Sequence, residues 1–285
     1  MRYSNKWKQS LGPSTQTTPT QEDNIIHHPT LQRHIESLSF WHRKLLYEYK
    51  QLATDVEIWR AFRSRKRLTI ASDGSLREEA GGMFGWKITT TTKQALFHGY
   101  GPVDGPLEIG SSARSELGGF TAPLLLVTIL ARHWGSMRHR CKFRWLADSE
   151  VAINRVSFVT RKDYSPTKQP DNSDSLSTIK NLFREIRRPM KTQWIKSHQD
   201  GKTSYDKLTS DARLNVDVDD LAAQCHKNKT AKPRRTIEHL PATQISISIL
   251  QTRFYGNLDE HLRYHINRGY LRQYTQTRHK WSDKV

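Results

Sequence analysis

The chain alternates between segments whose apolar residues recur at regular intervals and stretches with no period at all. "LTIASD", residues 68–73, is a short apolar run of the length of a buried strand. "GGMFGWKITT" (81–90) and "KQALFHGYG" (93–101) follow and predict strands two and three. "PVDGPLEIGS" is a loop rich in turn residues, and a helix is expected from about Ser112 to Trp134. "CKFRWLAD" (141–148) predicts strand four and runs into the helix "SEVAINRVSFV". After a polar loop, the helix "SLSTIKNLFREIRR" leads to strand five, "KTQWIKSH", and a last helix spans about Asp211 to His226.

Three strands joined by short turns predict an antiparallel meander, and strands reached through helices are expected to add in parallel. The expected fold class is therefore α/β. It is a mixed five-stranded sheet, three antiparallel strands then two parallel, flanked by helices. Upstream, Leu38, Trp41, Leu45, Tyr49, Leu52, Val56 and Trp59 recur at near-helical spacing and predict one or two helices, followed by the basic link "RSRKR". Residues 1–28 are polar and aperiodic, as in a disordered tail. Beyond Ala231 a basic tail is expected to hold a short β-like stretch and then one or two amphipathic helices. The organisation read from the chain is a tail (1–28), a helical extension (29–65), the α/β domain (66–228) and a basic C-terminal extension (229–285). The abrupt basic, aromatic end is what a piece of a longer reading frame would show.

Composition adds a partner class. Lys plus Arg number 46 against 28 acids, a net charge of +18. Such an excess points to a polyanion, and nucleic acid is the natural one. Cys141 and Cys225 form no CxxC, and His133, His139 and Cys141 have no zinc-site spacing. Both thiols are expected to be reduced, with no disulfide partner, as inside a cell. The longest greasy run, Phe120 to Ala131, is too short to span a bilayer and contains Pro123, so a soluble protein with no membrane partner is expected.

The acids carry the chemistry. Asp73-Gly74 has the form of a hairpin corner. Yet "SLREEAGG" separates it from the next strand, so the turn belongs there and Asp73 is expected to end strand one. Asp148 ends strand four, Glu116 lies in the first turns of a helix, and Asp217, Asp219 and Asp220 lie on the last helix. Each has an ordinary reading: turn residue, helix N-cap, or helix-start acid. Together they place carboxylates at adjoining ends of neighbouring strands. Unpaired like charges at close range are costly, and divalent cations offset that cost. On a helical wheel Leu214, Val218, Leu221 and Cys225 form the buried stripe, and Asp217 and Asp219 flank it on opposite sides, so periodicity does not choose between them.

"DGS" after an apolar strand, then "SSARSEL", "WLADSEVAI", "WIKSHQD" and "LNVDVDDLA", in that order, resemble the type 1 ribonuclease H domain over about Leu68 to Gln224. That family cuts the RNA strand of RNA–DNA hybrids with two Mg²⁺ ions, for which Mn²⁺ can substitute. The resemblance implies a ribonuclease H-like fold, a hybrid nucleic-acid partner and metal ligands at Asp73, Glu116 and Asp148. Its pattern of Asn, three residues, Asp, one residue, Leu-Ala fits Asn215, Asp219, Leu221 and Ala222, and so selects Asp219 as the fourth ligand. His198 matches the family's mobile-loop histidine, a group able to move a proton near neutrality. The resemblance further implies substrate contacts at Gly74, Ser75, Ser112 and Asn215.

Two departures are visible. Where the family places asparagines that meet the hybrid's minor groove, this chain has Ser112 and Ala113. Gly118, Gly119 and Pro123 are expected to kink or restart the helix that carries Glu116. Such domains in retroelement polyproteins follow a polymerase, but no polymerase signature precedes residue 66. The alternative is a catalytically impaired nucleic-acid-binding remnant of a retroelement. Proofreading-type exonucleases would need Asp-x-Glu on strand one, and integrases a final Glu where Asp219 stands.

Overall fold

The computed structural model describes residues 30–38, 43, 45–77, 81–103, 111–134, 141–160, 172–186 and 190–227, with short backbone stretches at 248–249, 252–253 and 267. The expectations for residues 1–28 and the C-terminal helices lie outside this set. The β-like stretch is represented by two paired strands, Ser248–Ile249 and Thr252–Arg253.

In chain order the elements are α1 (Leu31–Glu36), β1 (Glu48–Gln51), α2 (Asp55–Arg63), β2 (Arg67–Arg77), β3 (Gly81–Thr89), β4 (Ala95–Pro102), α3 (Ser112–His133), β5 (Lys142–Ala147), α4 (Glu150–Val159), α5 (Ser173–Ile186), β6 (Met190–Trp194) and α6 (Ser210–Lys227). The main sheet has the order β1-β4-β3-β2-β5-β6. β2, β3 and β4 are the antiparallel meander, and β5 and β6 add in parallel through helical crossovers. The mixed α/β sheet read from the pattern is thus the one formed.

Three expectations change. The sheet has six strands, because Glu48–Gln51 is a strand and not part of a helix. Tyr49 fits helical spacing, but along this edge, which pairs with β4, half-buried Tyr49 and Gln51 alternate with exposed Glu48 and Lys50. Thr54 then restarts a helix with a capping box: its hydroxyl accepts from Glu57 N–H, and Glu57 Oε2 accepts from Thr54 N–H at 2.8 Å. Second, Asp73 does not end its strand. β2 continues to Arg77, paired with β3 throughout. Third, α3 runs unbroken across Pro123. Proline there forfeits the bond to the Gly119 carbonyl, but nearly every residue of the helix from Arg114 to Ala131 is buried, and that packing holds it through.

Alternation along β2 divides the molecule into two layers. Leu68 and Ile70 face the main core, with Trp86, Phe97, Phe120, Trp145 and the α3 leucines, all fully buried. Each such side chain contributes about 1.5–3 kcal/mol. α2 closes the same core with Ile58 and Phe62, and α1 with Leu31 and Ile35. Ala71 faces the other way, into a smaller core under α6 with Leu146, Leu214 and Val218. By the same parity Asp73 faces α6. Among the described residues no helix is long and apolar enough to cross a membrane. Cys141 and Cys225 are both buried, and neither is in a disulfide.

Candidate metal centre

The site forms where β2, β5, α3 and α6 meet. β2 and β5 run in parallel with Ala71 opposite Leu146. Two residues further on, the same register brings Asp73 level with Asp148. Glu116 joins them from the second turn of α3. Gly74 explains how it can. A Cβ on Gly74 would stand 2.2 Å from Glu116 N and 2.4 Å from the Ser115 carbonyl carbon, so the helix backbone rests directly on the strand. On the other face Gly85, the antiparallel partner of Asp73, makes the same allowance for α6: its Cβ would lie 2.3 Å from the Val218 carbonyl oxygen.

Asp73, Glu116 and Asp148 each offer a carboxylate oxygen within 4.8 Å of the others. Asp73 is 7 % exposed and Glu116 4 %, while Asp148 is half-buried. Burial, reinforced by the charges of Asp148 and Asp219, pushes the Asp73 carboxyl up to about 8. Burial, with Asp73 and Asp148 adding to it, drives Glu116 well above the usual carboxylate range. The Gly74 N–H opposes both shifts by donating towards these acids. Glu116 Oε2 is buried and has no hydrogen-bond partner among the described residues.

Asp219 lies close enough to Asp73 for its charge to raise that carboxyl, outside the tighter group of three. Asp217, on the other flank of the buried stripe, is engaged elsewhere. It accepts from Lys87 Nζ and from the Tyr205 hydroxyl, both at 2.7 Å. α6 is pinned at its start by Arg144, whose two guanidinium nitrogens donate to Asp211 at 2.8 Å each. α3 is pinned near its start by the buried pair of Arg114 and Asp174, at 2.8 and 3.0 Å.

The other candidates are placed as follows. Asn215 is buried, and its Nδ2 donates to Asp148 Oδ2 at 3.4 Å. Ser75 is half-buried on β2 and Ser112 is exposed at the start of α3. His198 is exposed in a left-handed conformation (φ 49°) just before the 3-10 turn Gln199–Gly201. Its loop is tied down by Tyr205 on Asp217 and by Arg213, which donates to the Leu208 carbonyl at 3.2 Å. Two neighbours escaped the sequence reading. Trp194 donates from Nε1 to the Asp148 carbonyl at 2.8 Å with its ring 48 % exposed. Gly85 has a signal only once its pairing with Asp73 is known.

No protein-family model matches the chain, and neither does any curated protein. Solved structures do. LC11-RNase H1, isolated from compost by a metagenomic approach, is 13 % identical with a TM-score of 0.37, over 56 % of this chain and 97 % of that one. The same enzyme in complex with an RNA/DNA hybrid gives 16 % and 0.38, over 55 % and 94 %. The PFV RNase H domain in solution gives 12 % and 0.35, over 56 % and 93 %.

Proposed function

We propose that the chain is a divalent-metal-dependent endonuclease that hydrolyses the RNA strand of RNA–DNA hybrids. The observation that carries this reading is the convergence of Asp73, Glu116 and Asp148, two of them buried, with no cationic side chain among the described groups that shift Asp73 and Glu116. The donor set suits a hard cation such as Mg²⁺: it is all carboxylate, and one buried oxygen of Glu116 lacks a partner. Two ions bound there, Mg²⁺ or Mn²⁺, would supply an activated water and charge stabilisation at the scissile phosphate.

The chain's own groups have distinct tasks in this reading. Asp73 and Asp148, held level by the β2–β5 register, are the central ligands. Glu116 and Asp219 complete the set from the two helices. Asn215 orients Asp148 from below. The Gly74 N–H keeps the Asp73 and Glu116 oxygens turned inward. His198, exposed on its anchored loop, would exchange a proton with solvent as product leaves. The net charge of +18 supports a nucleic-acid substrate. An origin in a retroelement reading frame belongs to the same reading and rests on the motif resemblance alone.

The test is cleavage of an end-labelled RNA–DNA hybrid with Mg²⁺, comparing the wild type with Asp73→Asn. Internal cuts in the RNA strand are expected, falling by more than about a thousandfold in the variant. A wild-type protein that binds the hybrid and leaves it intact would establish the remnant instead.

A further inference from the structure

The basic link "RSRKR" has no task in the chemistry described above, and it lines a groove away from the acids. A groove of about 300 Å³ runs between α2, the first residues of β2 and the β3–β4 turn. Arg60, Lys66 and Arg67 stand around it, all exposed, and none makes a side-chain hydrogen bond or ion pair among the described residues. Ser64 and the threonines at 90–92 add hydroxyls, and buried Leu68 lies at its floor. One acid, Glu57, also lines it, but that carboxylate is already taken up by Thr54 and by Gln94, whose Nε2 donates at 3.0 Å. Three exposed cations in one concave place, of which Arg60 also acts on the Glu57 charge, match an oxyanion-rich ligand, while the hydroxyls are bonded within the protein, Thr90 to Thr92, Thr91 to the Arg67 carbonyl and Ser64 to the Ala61 carbonyl. The next face of α2 carries Trp59, 39 % exposed with the Arg63 guanidinium 4.8 Å from its ring centre. Cations beside an exposed aromatic are the elements that hold a single nucleic-acid strand, backbone in the groove and a base on the ring.

We propose that this groove is a second nucleic-acid site, taking the phosphodiester backbone of a single strand at the end of the sheet away from the acids. Arg67 precedes Asp73 by six residues on β2, about 20 Å along the strand. The two sites therefore engage different stretches of nucleic acid. The proposal does not rest on hybrid cleavage.

The experiment measures binding of a fluorescent twelve-nucleotide oligothymidylate to the full chain by anisotropy across a salt series. The variant combines Arg60→Ala, Lys66→Ala and Arg67→Ala. A control of equal charge loss combines Arg33→Ala, Arg184→Ala and Lys227→Ala, exposed cations outside the groove. Losing three phosphate contacts reduces the log–log salt slope by about 2 and weakens binding by about a hundredfold at 0.1 M salt. The control should keep both near the wild-type values. Amide hydrogen exchange on the wild type gives a second readout: the oligonucleotide should slow exchange across residues 64–68 and 90–94. The proposal is overturned if the control loses as much as the groove variant, if exchange in those segments does not change, or if inorganic phosphate protects them and the strand does not. None of these results depends on whether the protein cuts a hybrid.

Discussion

Within a single turn of α3 the molecule buries two charged side chains in opposite ways. Arg114 lies against Asp174 in a bidentate pair, both nearly inaccessible, each balancing the other. Glu116 lies against Asp73 and Asp148, like charge on like charge. The fold therefore can neutralise a buried charge with its own residues when it does so for packing. At Glu116 the described residues supply the Gly74 N–H but no cation, and the balance must come from protons or from a cation delivered from outside.

This contrast can be broken from both sides. Replacing Arg114 by Met should strand Asp174 and cost about 3–5 kcal/mol of stability. Glu116→Gln should do the reverse without metal, raising stability by relieving repulsion while depressing cleavage. Chemical denaturation in chelator, with and without added Mg²⁺, separates the two. If both variants lose stability equally in chelator, the acids are not mutually repulsive.

A second effect comes with pH. Asp73 titrates at about 8 in the fold and at about 4 when unfolded. Between those values the metal-free fold holds a proton that the unfolded chain has released. Its stability therefore falls as pH rises from about 4 to about 8. Thermal midpoints measured in chelator should drift downward over this window. Asp73→Asn should flatten the drift, and Mg²⁺ should raise the midpoint most at the alkaline end.

The smallest expected effect tests the flank of α6 that the site leaves out. Tyr205→Phe removes the hydroxyl bond to Asp217 and should cost about 1 kcal/mol. It should also change turnover through the His198 loop without altering metal affinity. A loss of metal binding in this variant would mean that Asp217, not Asp219, serves the cluster.

The meander and both parallel strands were legible because each is an apolar run bounded by turn residues, and burial follows that alternation. β1 was not. An edge strand with one neighbour needs only half an apolar pattern, and Tyr49 and Leu52 satisfy a helix equally well. The continuation of β2 past Asp73 was hidden for a related reason. Gly74, Ser75 and Arg77 read as the start of a turn, while the ladder to β3 overrides that local preference. The four acids were visible by position, but periodicity left Asp217 and Asp219 tied. Lys87 and Tyr205 separate them in space, and Lys87 comes from a strand distant in sequence. Trp194 read only as strand residue, since its Nε1 contact depends on how β6 ends against β5.

The glycines at the strand–helix crossings have one more consequence. Gly74 and Gly85 leave no space for a methyl group on either face of the sheet at Asp73, and Gly119 brings α3 against the Asp73 backbone from the same side as Gly74. The acids therefore cannot drift apart when nothing neutralises them, and the repulsion is held as stored work. In a saturation library, the harshest selection around this centre should fall on residues that possess no functional group at all. The catalytic map of such a protein would be outlined by where carbon is forbidden.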